Sequence, residues 1–464
     1  MSVPFPEPNP VKLAAVPRKT WQVGTLRYTA PGLVVLFCWL FWGDFAWSMK
    51  ERTVGPVLQV MLKKFEASDF QVGLLMGSLP LIISMVLSPI VAYRSDRHRG
   101  PWGRRLPFLL LPTPVAVLAM LGLAFSPECG IELHRILGSD SPGINLSTIV
   151  FLGAFWVVFE IATIIANAVF GGLINDVVPA QFLGRFYGVF RALSLLAGIV
   201  FNLWLIGKAE EEYTWIFLGM GSLYGVGFCM MCLNVKEGEY PPPPPPNPTQ
   251  GPVAFFQAVK EYLIKCFSIR YYWWVYASSA LAAMAFMPFN LYVIYYRKTM
   301  GLSLETYGHY LVWTFIISLI IAYPLGVLVD RFHAFRVSLI VLAIYVSTTL
   351  AAAFYVVDAW TFGLALLIHG VMSGTYFTTS ASLALRLLPR GNFAQFASAS
   401  GIVASVFGIM VAPVSGRILD LTGHEYRYTF FMSGGIGAVG LLAAAVLYRK
   451  FLALGGPGNY RAPE

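Results

Sequence analysis

The chain has 464 residues, of which 57% are hydrophobic and 12% charged, with a formal net charge of +9. A soluble domain carries about 25% charged residues, so this composition excludes an ordinary water-soluble fold. The basic excess does not mark a nucleic-acid binder either, because of where the charges fall.

A bilayer core of ~30 Å takes about 20 apolar residues per helix. Twelve segments of that kind can be counted, at 30–61, 69–93, 106–125, 148–175, 184–206, 214–234, 271–296, 304–328, 336–356, 360–386, 393–416 and 428–448. They are too long and too continuously apolar for an outer-membrane barrel. The expected fold class is an all-α polytopic membrane protein of twelve transmembrane helices in two six-helix pseudo-repeats. Its parts are an N-terminal tail (1–29), a first bundle (30–234), a linker (235–269), a second bundle (270–449) and a C-terminal tail (450–464). With both termini inside, 22 of the 32 Lys and Arg fall on cytoplasmic segments, as positive charge biases loops to stay inside. The reading is a multi-pass protein of the cytoplasmic (inner or plasma) membrane, monomeric, with no nucleic-acid partner. No signal-peptide pattern is expected at the start. Cys229 and Cys232 form a CxxC inside the sixth apolar segment, where packing is a better account than a disulfide or metal site.

In chain order, residues 1–29 are Pro-rich and basic. The first span carries Asp44, Lys50, Glu51 and Arg52. Charge within a span is costly, by about 2.5–3.5 kcal/mol per residue, and so faces a bundle interior or a pathway. At 100° per residue, Asp44, Ser48 and Glu51 share a stripe, with Lys50 and Arg52 beside it. Residues 50–52 read either as part of that pathway or as a solvated cluster at the outer end. Ser68 and Gln71 form a capping-box pattern at the start of the second span, and Gly73 and Gly77 suit close helix contact. The second span runs into Asp96, Arg97, Gly103, Arg104 and Arg105, an arginine-dense loop. Residues 126–147 read as the longest outer loop.

The fourth span places Glu160, Thr163 and Asn167 on one face and ends at Asp176; the fifth adds Arg191. Six prolines follow in the linker, a polyproline II spacer, before an amphipathic helix at 253–268. In the second half, Asn290 in the seventh span and His369, Ser373 and Tyr376 in the tenth are candidate solute contacts. Tyr292, Tyr295 and Tyr296 read as an interfacial belt. Gly326, Asp330 and Arg331 repeat the pattern of the arginine loop. Gly73 to Asp96 is 23 residues and Gly308 to Asp330 is 22, so the halves repeat. Internal repeats around a midplane site are a transporter signature.

Asp96-Arg97 with Gly103-Arg104-Arg105 resembles the signature between the second and third helices of the major facilitator superfamily, and Gly326 to Asp330-Arg331 resembles its second-half echo. The longer run SDRHRGPWGRRLPF, with Asp44-Phe45 and Pro56, is similar to the sucrose/proton symporters and, more distantly, to the glycoside–cation symporters. The family's loop glycine is Ala92 here, its first-helix arginine is Gly43, and its second acid is Lys50. The resemblance implies proton-coupled symport of a sugar, a glucoside or disaccharide, by alternating access, without enzymatic chemistry. It implies no bound cofactor or metal, the driving force being a proton gradient or alternatively sodium. Asp44 and Glu160 are the proton-carrier candidates, since a carboxyl moved between a dry pocket and a basic neighbour changes its hold on a proton. The loop residues, with Asp176, would gate. The basic run also resembles superfamily members tied to assembly of light-harvesting complexes, which leaves a non-transporting assembly factor as the alternative.

Overall fold

The computed structural model describes residues 20–242, 252–389 and 392–463. Residues 1–19, most of the proline run and Arg390 lie outside them. The described part of the N-terminal tail is not irregular. Trp21–Val23 (β1) and Leu26–Tyr28 (β2) form an antiparallel hairpin that turns at Gly24, where φ is +55. Thr25 Oγ1 accepts the Glu239 N–H at 2.8 Å, tying hairpin to linker.

The first half contains α1 (Ala30–Lys64), α2 (Asp69–Arg97), α3 (Leu106–Ala124), α4 (Ser126–Leu137), α5 (Ile144–Val177), α6 (Ala180–Trp204) and α7 (Tyr213–Asn234). Helix α4 corrects the outer loop expected at 126–147. Its Pro127 stands in the first turn, where a missing N–H costs nothing, and Gly130 packs on Thr148 at the start of α5. Likewise the arginine signature is only partly loop, because Asp96 and Arg97 close the last turn of α2.

After the linker helix α8 (Pro252–Phe267), the second half contains α9 (Arg270–Thr299), α10 (Leu304–Phe332), α11 (Ala334–Tyr355), α12 (Ala359–Ser380), α13 (Phe393–Leu421) and α14 (Tyr428–Ala453). Among the described residues, eleven helices are long and apolar enough to cross a membrane. Helix α12, which carries His369 and a Gly/Ser/Thr-rich second half, supplies the twelfth of the bundle and packs against α10 and α11.

Helix α9 is broken between Met284 and Met287. Pro288 has no N–H for the ladder and cannot close the turn. The Phe289 N–H donates instead to Ser433 Oγ at 3.3 Å, and the freed Ala285 carbonyl accepts from the Tyr345 hydroxyl at 3.1 Å. Both orphan groups are satisfied by neighbouring helices, which lets a kink persist inside the bundle.

The halves meet along two equivalent pairs, α2 with α13 and α6 with α10. Each crossing is set by a glycine at corresponding positions of the repeat. A Cβ on Gly73 would strike the Ala412 carbonyl, and one on Gly308 the Asn202 carbonyl. The halves can therefore touch backbone to backbone. Both crossings lie toward one end of the bundle. The arginine loop, hairpin and linker lie at the other.

Candidate functional site

Midway along α1, the chain buries a lysine. Lys50 is 0% exposed, so it is neither interfacial nor solvated. Its Nζ lies 2.9 Å from Glu51 Oε1, 3.2 Å from Thr163 Oγ1 on α5, and 3.6 Å from the centroid of the Trp47 ring. Tyr224 of α7 stands at 5.0 Å. An ammonium out of water needs such charge and ring partners. Glu160, one turn before Thr163 and half-buried, adds a second carboxylate acting on Lys50.

The stripe expected on α1 exists by spacing, but its cover ends partway. Asp44 and Ser48 are buried, whereas the Glu51 side chain is 45% exposed. Asp44 Oδ2 has no hydrogen-bond partner among the described residues. On α5 and α6, Asn167 and Arg191 are exposed. Ionic and amide groups exposed in mid-span are expensive toward lipid, so they face a water-filled space.

In the second half, His369 Nε2 is 3.1 Å from Asn290 Oδ1, and its Nδ1 is 3.5 Å from the Tyr345 hydroxyl. The imidazole is buried against Phe289, with centroids 4.3 Å apart, while Asn290 is exposed. Ser373 is half-buried. Tyr376 is buried against Phe286 at 5.6 Å, inside an apolar cluster rather than on the open face. No hydrogen bond between described residues joins the Lys50 group to the His369–Asn290 pair. They stand on opposite halves.

One end of the seam is closed. The Asp420 carboxylate at the end of α13 accepts the N–H groups of Asp69 (2.8 Å) and Phe70 (2.9 Å) at the start of α2. The fully buried Asp69 side chain accepts from Lys63 Nζ and the Tyr426 hydroxyl, each at 3.1 Å, and pairs with His424 Nδ1 at 2.6 Å. Tyr292 bridges the carbonyls of Asp69 and Ala412, Tyr295 donates to the Gln59 carbonyl at 2.8 Å, and Arg297 pairs with Glu210 at 2.7 Å. The three tyrosines of α9, expected as a belt, are buried instead, and two of them bond across the seal. Ligand atoms of Asp69, Asp420 and His424 lie within 4.8 Å of one another. Their oxygens already serve Lys63, Tyr426 and two backbone N–H groups, so the cluster reads as a latch rather than a metal centre. Sequence inspection missed it: Asp69 and Asp420 lie at span ends, where acids are ordinary.

At the opposite end, no hydrogen bond or ion pair between described residues crosses from the first bundle to the second. Within the first bundle the arginine signature is tightly held. Asp176 at the end of α5 accepts a bidentate pair from Arg104 (Nε 3.1 Å, Nη2 2.8 Å) and Arg105 Nε at 2.6 Å, while Arg105 also reaches Asp96 at 3.1 Å. The Glu237 carboxylate accepts the N–H groups of Arg104, Arg105 and Leu106 at 3.0, 2.8 and 2.7 Å, capping α3. A carboxylate at that helix start satisfies orphan donors and the dipole together. Gly103, at φ +98, permits it, since a Cβ there would strike Glu237. Burial, then the Glu237 charge, push the Tyr240 phenol well above its ordinary range, so it stays a donor to Glu237 at 3.1 Å. Asp96 pairs but caps nothing. The second-half echo differs: Gly326, Asp330 and Arg331 are exposed, and Asp330 has no hydrogen bond or ion pair among the described residues.

The comparisons agree with this architecture. The family model described as Major Facilitator Superfamily matches residues 36–413 and 299–451. A curated human relative, Proton-associated sugar transporter A, is 29% identical over 147 residues, which is 31% of this chain and 19% of that protein. The chain therefore aligns with under a fifth of that relative's length. Among solved structures, a bacterial homologue of the human lysosomal transporter Spinster, inward-facing and unoccupied, aligns with TM-score 0.66 at 14% identity, covering 94% of this chain and 100% of that one. A D-xylose-proton symporter aligns with TM-score 0.62 at 15% identity, covering 90% and 96%. Chain-wide match, repeated halves and helical architecture together place this chain in the major facilitator superfamily, a family of non-enzymatic membrane transporters.

Proposed function

We propose that the protein is a secondary active transporter of the cytoplasmic membrane that carries a sugar together with protons by alternating access, with both termini in the cytoplasm. The observation that carries this reading is the set of groups Asp44, Glu51, Glu160 and Lys50 midway along α1 and α5, beneath a seam latched at one end. Carboxyl groups placed at such depth mark ion pathways and proton relays. Asp44 and Glu160 carry the protons, and Lys50 is the internal cation whose pairing changes as they load and unload. Hydroxyls of the solute bond to exposed amides, Asn167 on one half and Asn290 on the other, with His369 fixing the latter. The basic distribution orients the arginine end inward, so the latched end faces outside and the structure is inward-open. The human relative's name supports both the sugar and the proton.

The test is uptake of labelled sugars into proteoliposomes with an imposed pH gradient. Accumulation should need the gradient and vanish in Asp44→Asn with Glu160→Gln. Accumulation that survives both substitutions removes the proton role, and no uptake of any sugar removes the reading.

A further inference from the structure

The open seam holds more positive charge than proton coupling uses. Arg52 follows Glu51 on α1 and places Nη2 3.2 Å from Ser194 Oγ on α6. Its guanidinium lies 5.3 Å from the centroid of Phe315, which belongs to α10 in the other half. Arg191 precedes Ser194 by one helical turn, so it shares that face of α6, and it is exposed. The charges of Arg191 and Glu51 both act on Arg52. Neither arginine has an ion pair among the described residues.

The nearby acids are engaged elsewhere. Glu51 is 2.9 Å from Lys50, and the Glu160 charge acts on the same ammonium. Asp44 lies buried about 12 Å further along α1, at 1.5 Å of rise per residue. Glu51, the one acid acting on Arg52, is thus shared with Lys50; the two guanidinium groups repel each other, and an anion between them reverses the sign. Their planar forks match the oxygens of a carboxylate or phosphate.

We propose that Arg52 and Arg191 form an anion-binding corner of the solute site, so that the transported sugar bears a carboxylate or phosphate group. This rests on the transport reading above and names its substrate class. Because Arg52 stacks toward Phe315 of the opposite half, an anion held there contacts the seam between the halves. The remaining hydroxyls reach Asn167 and Asn290. A neutral sugar would leave Arg191 without an ion pair and Arg52 with only its share of the Glu51 charge.

The experiment is equilibrium binding to the purified full chain with glucose, glucuronate, glucose 6-phosphate and acetate as probes. One of the charged sugars should bind at least about tenfold more tightly than glucose, as expected for a charge-assisted bidentate contact, and acetate should bind far more weakly. Preference for glucuronate identifies a carboxylate, and preference for glucose 6-phosphate a phosphate. Arg52→Gln and Arg191→Gln should each remove that preference, Arg52→Lys should keep part of it, and added salt should weaken it. Arg191 is exposed and unpaired, so its substitution leaves folding intact, checked by an unchanged melting temperature. Equal or tighter binding of glucose, unaffected by both Gln variants, overturns the anion corner and leaves sugar transport standing. Binding of no sugar, with no uptake in proteoliposomes, overturns both.

Discussion

Asp420 and Asp69, at the ends of helices from opposite halves, are joined by a carboxylate that accepts a backbone N–H at 2.8 Å. A second bond to Phe70 makes Asp420 an N-cap supplied in trans. A cap built this way is lost whenever the halves separate at that end, so it stabilises one conformer of the transporter selectively. Any state open at this end must rehydrate Asp69, Asp420 and the first turn of α2.

Asp420→Ala should therefore weaken the latch by about 1 kcal/mol, the usual cost of losing a cap, and shift the conformational balance roughly fivefold. A cysteine at position 78, where Ser78 is 1% exposed and bonds the Ile409 carbonyl, should then react faster with an impermeant thiol reagent added at the latched side. An unchanged rate would show that Asp420 does not hold the seal.

The arginine signature and its echo should respond differently to the same change. Asp176→Asn leaves Arg104 and Arg105 short of their carboxylate, and removing one partner of a largely buried charged pair costs about 1–3 kcal/mol. Asp330→Asn should change little, since Asp330 is exposed and unpaired among the described residues. Thermal unfolding in detergent compares the two; equal losses would contradict the asymmetry.

Lys50 separates packing from chemistry. Lys50→Met keeps the volume inside the ring of Trp47, Phe159 and Tyr224, and the acid it leaves unpaired, Glu51, is 45% exposed and so stays hydrated rather than stranded as a buried charge. Lys50→Ala leaves a cavity worth about 2–5 kcal/mol. Both should abolish gradient-driven uptake, while only Lys50→Ala should lower the melting temperature substantially. Uptake retained in Lys50→Met would exclude the ammonium from coupling.

The start of α12 should fray in acid. The Asp358 carboxyl accepts the Thr361 N–H at 2.8 Å and the Thr361 hydroxyl, and these bonds hold it below the usual aspartate range. A depressed carboxyl contributes fully above its unfolded value near 3.9, and the contribution is lost as pH falls through the folded value. Amide exchange at residues 360–362 should rise on going from pH 5 to pH 3 beyond its intrinsic change. Asp358→Ala should remove that pH dependence.

Much of the architecture was legible because lipid is an exacting solvent. Span length, the scarcity of charge and the Gly73/Gly308 repeat each follow from what a bilayer tolerates. The depth of Lys50 was not legible, because residues 50–52 also read as a wet outer cluster. Burial at that position depends on Thr163, 113 residues away, and on the rings of α5 and α7. Tyr292 and Tyr295 looked interfacial because tyrosines near span ends usually are.

By itself, then, the sequence determined that the chain lies in a membrane, where its membrane-length helices run, and which of them carry charge, since these depend on composition and local periodicity. Tertiary structure decided which charges are paired, which face water, and which end of the seam is latched. Those depend on partners far apart in the chain, as Asp69 and Asp420 are, separated by 351 residues. Helical spacing names a face; only the neighbouring helices decide what covers it.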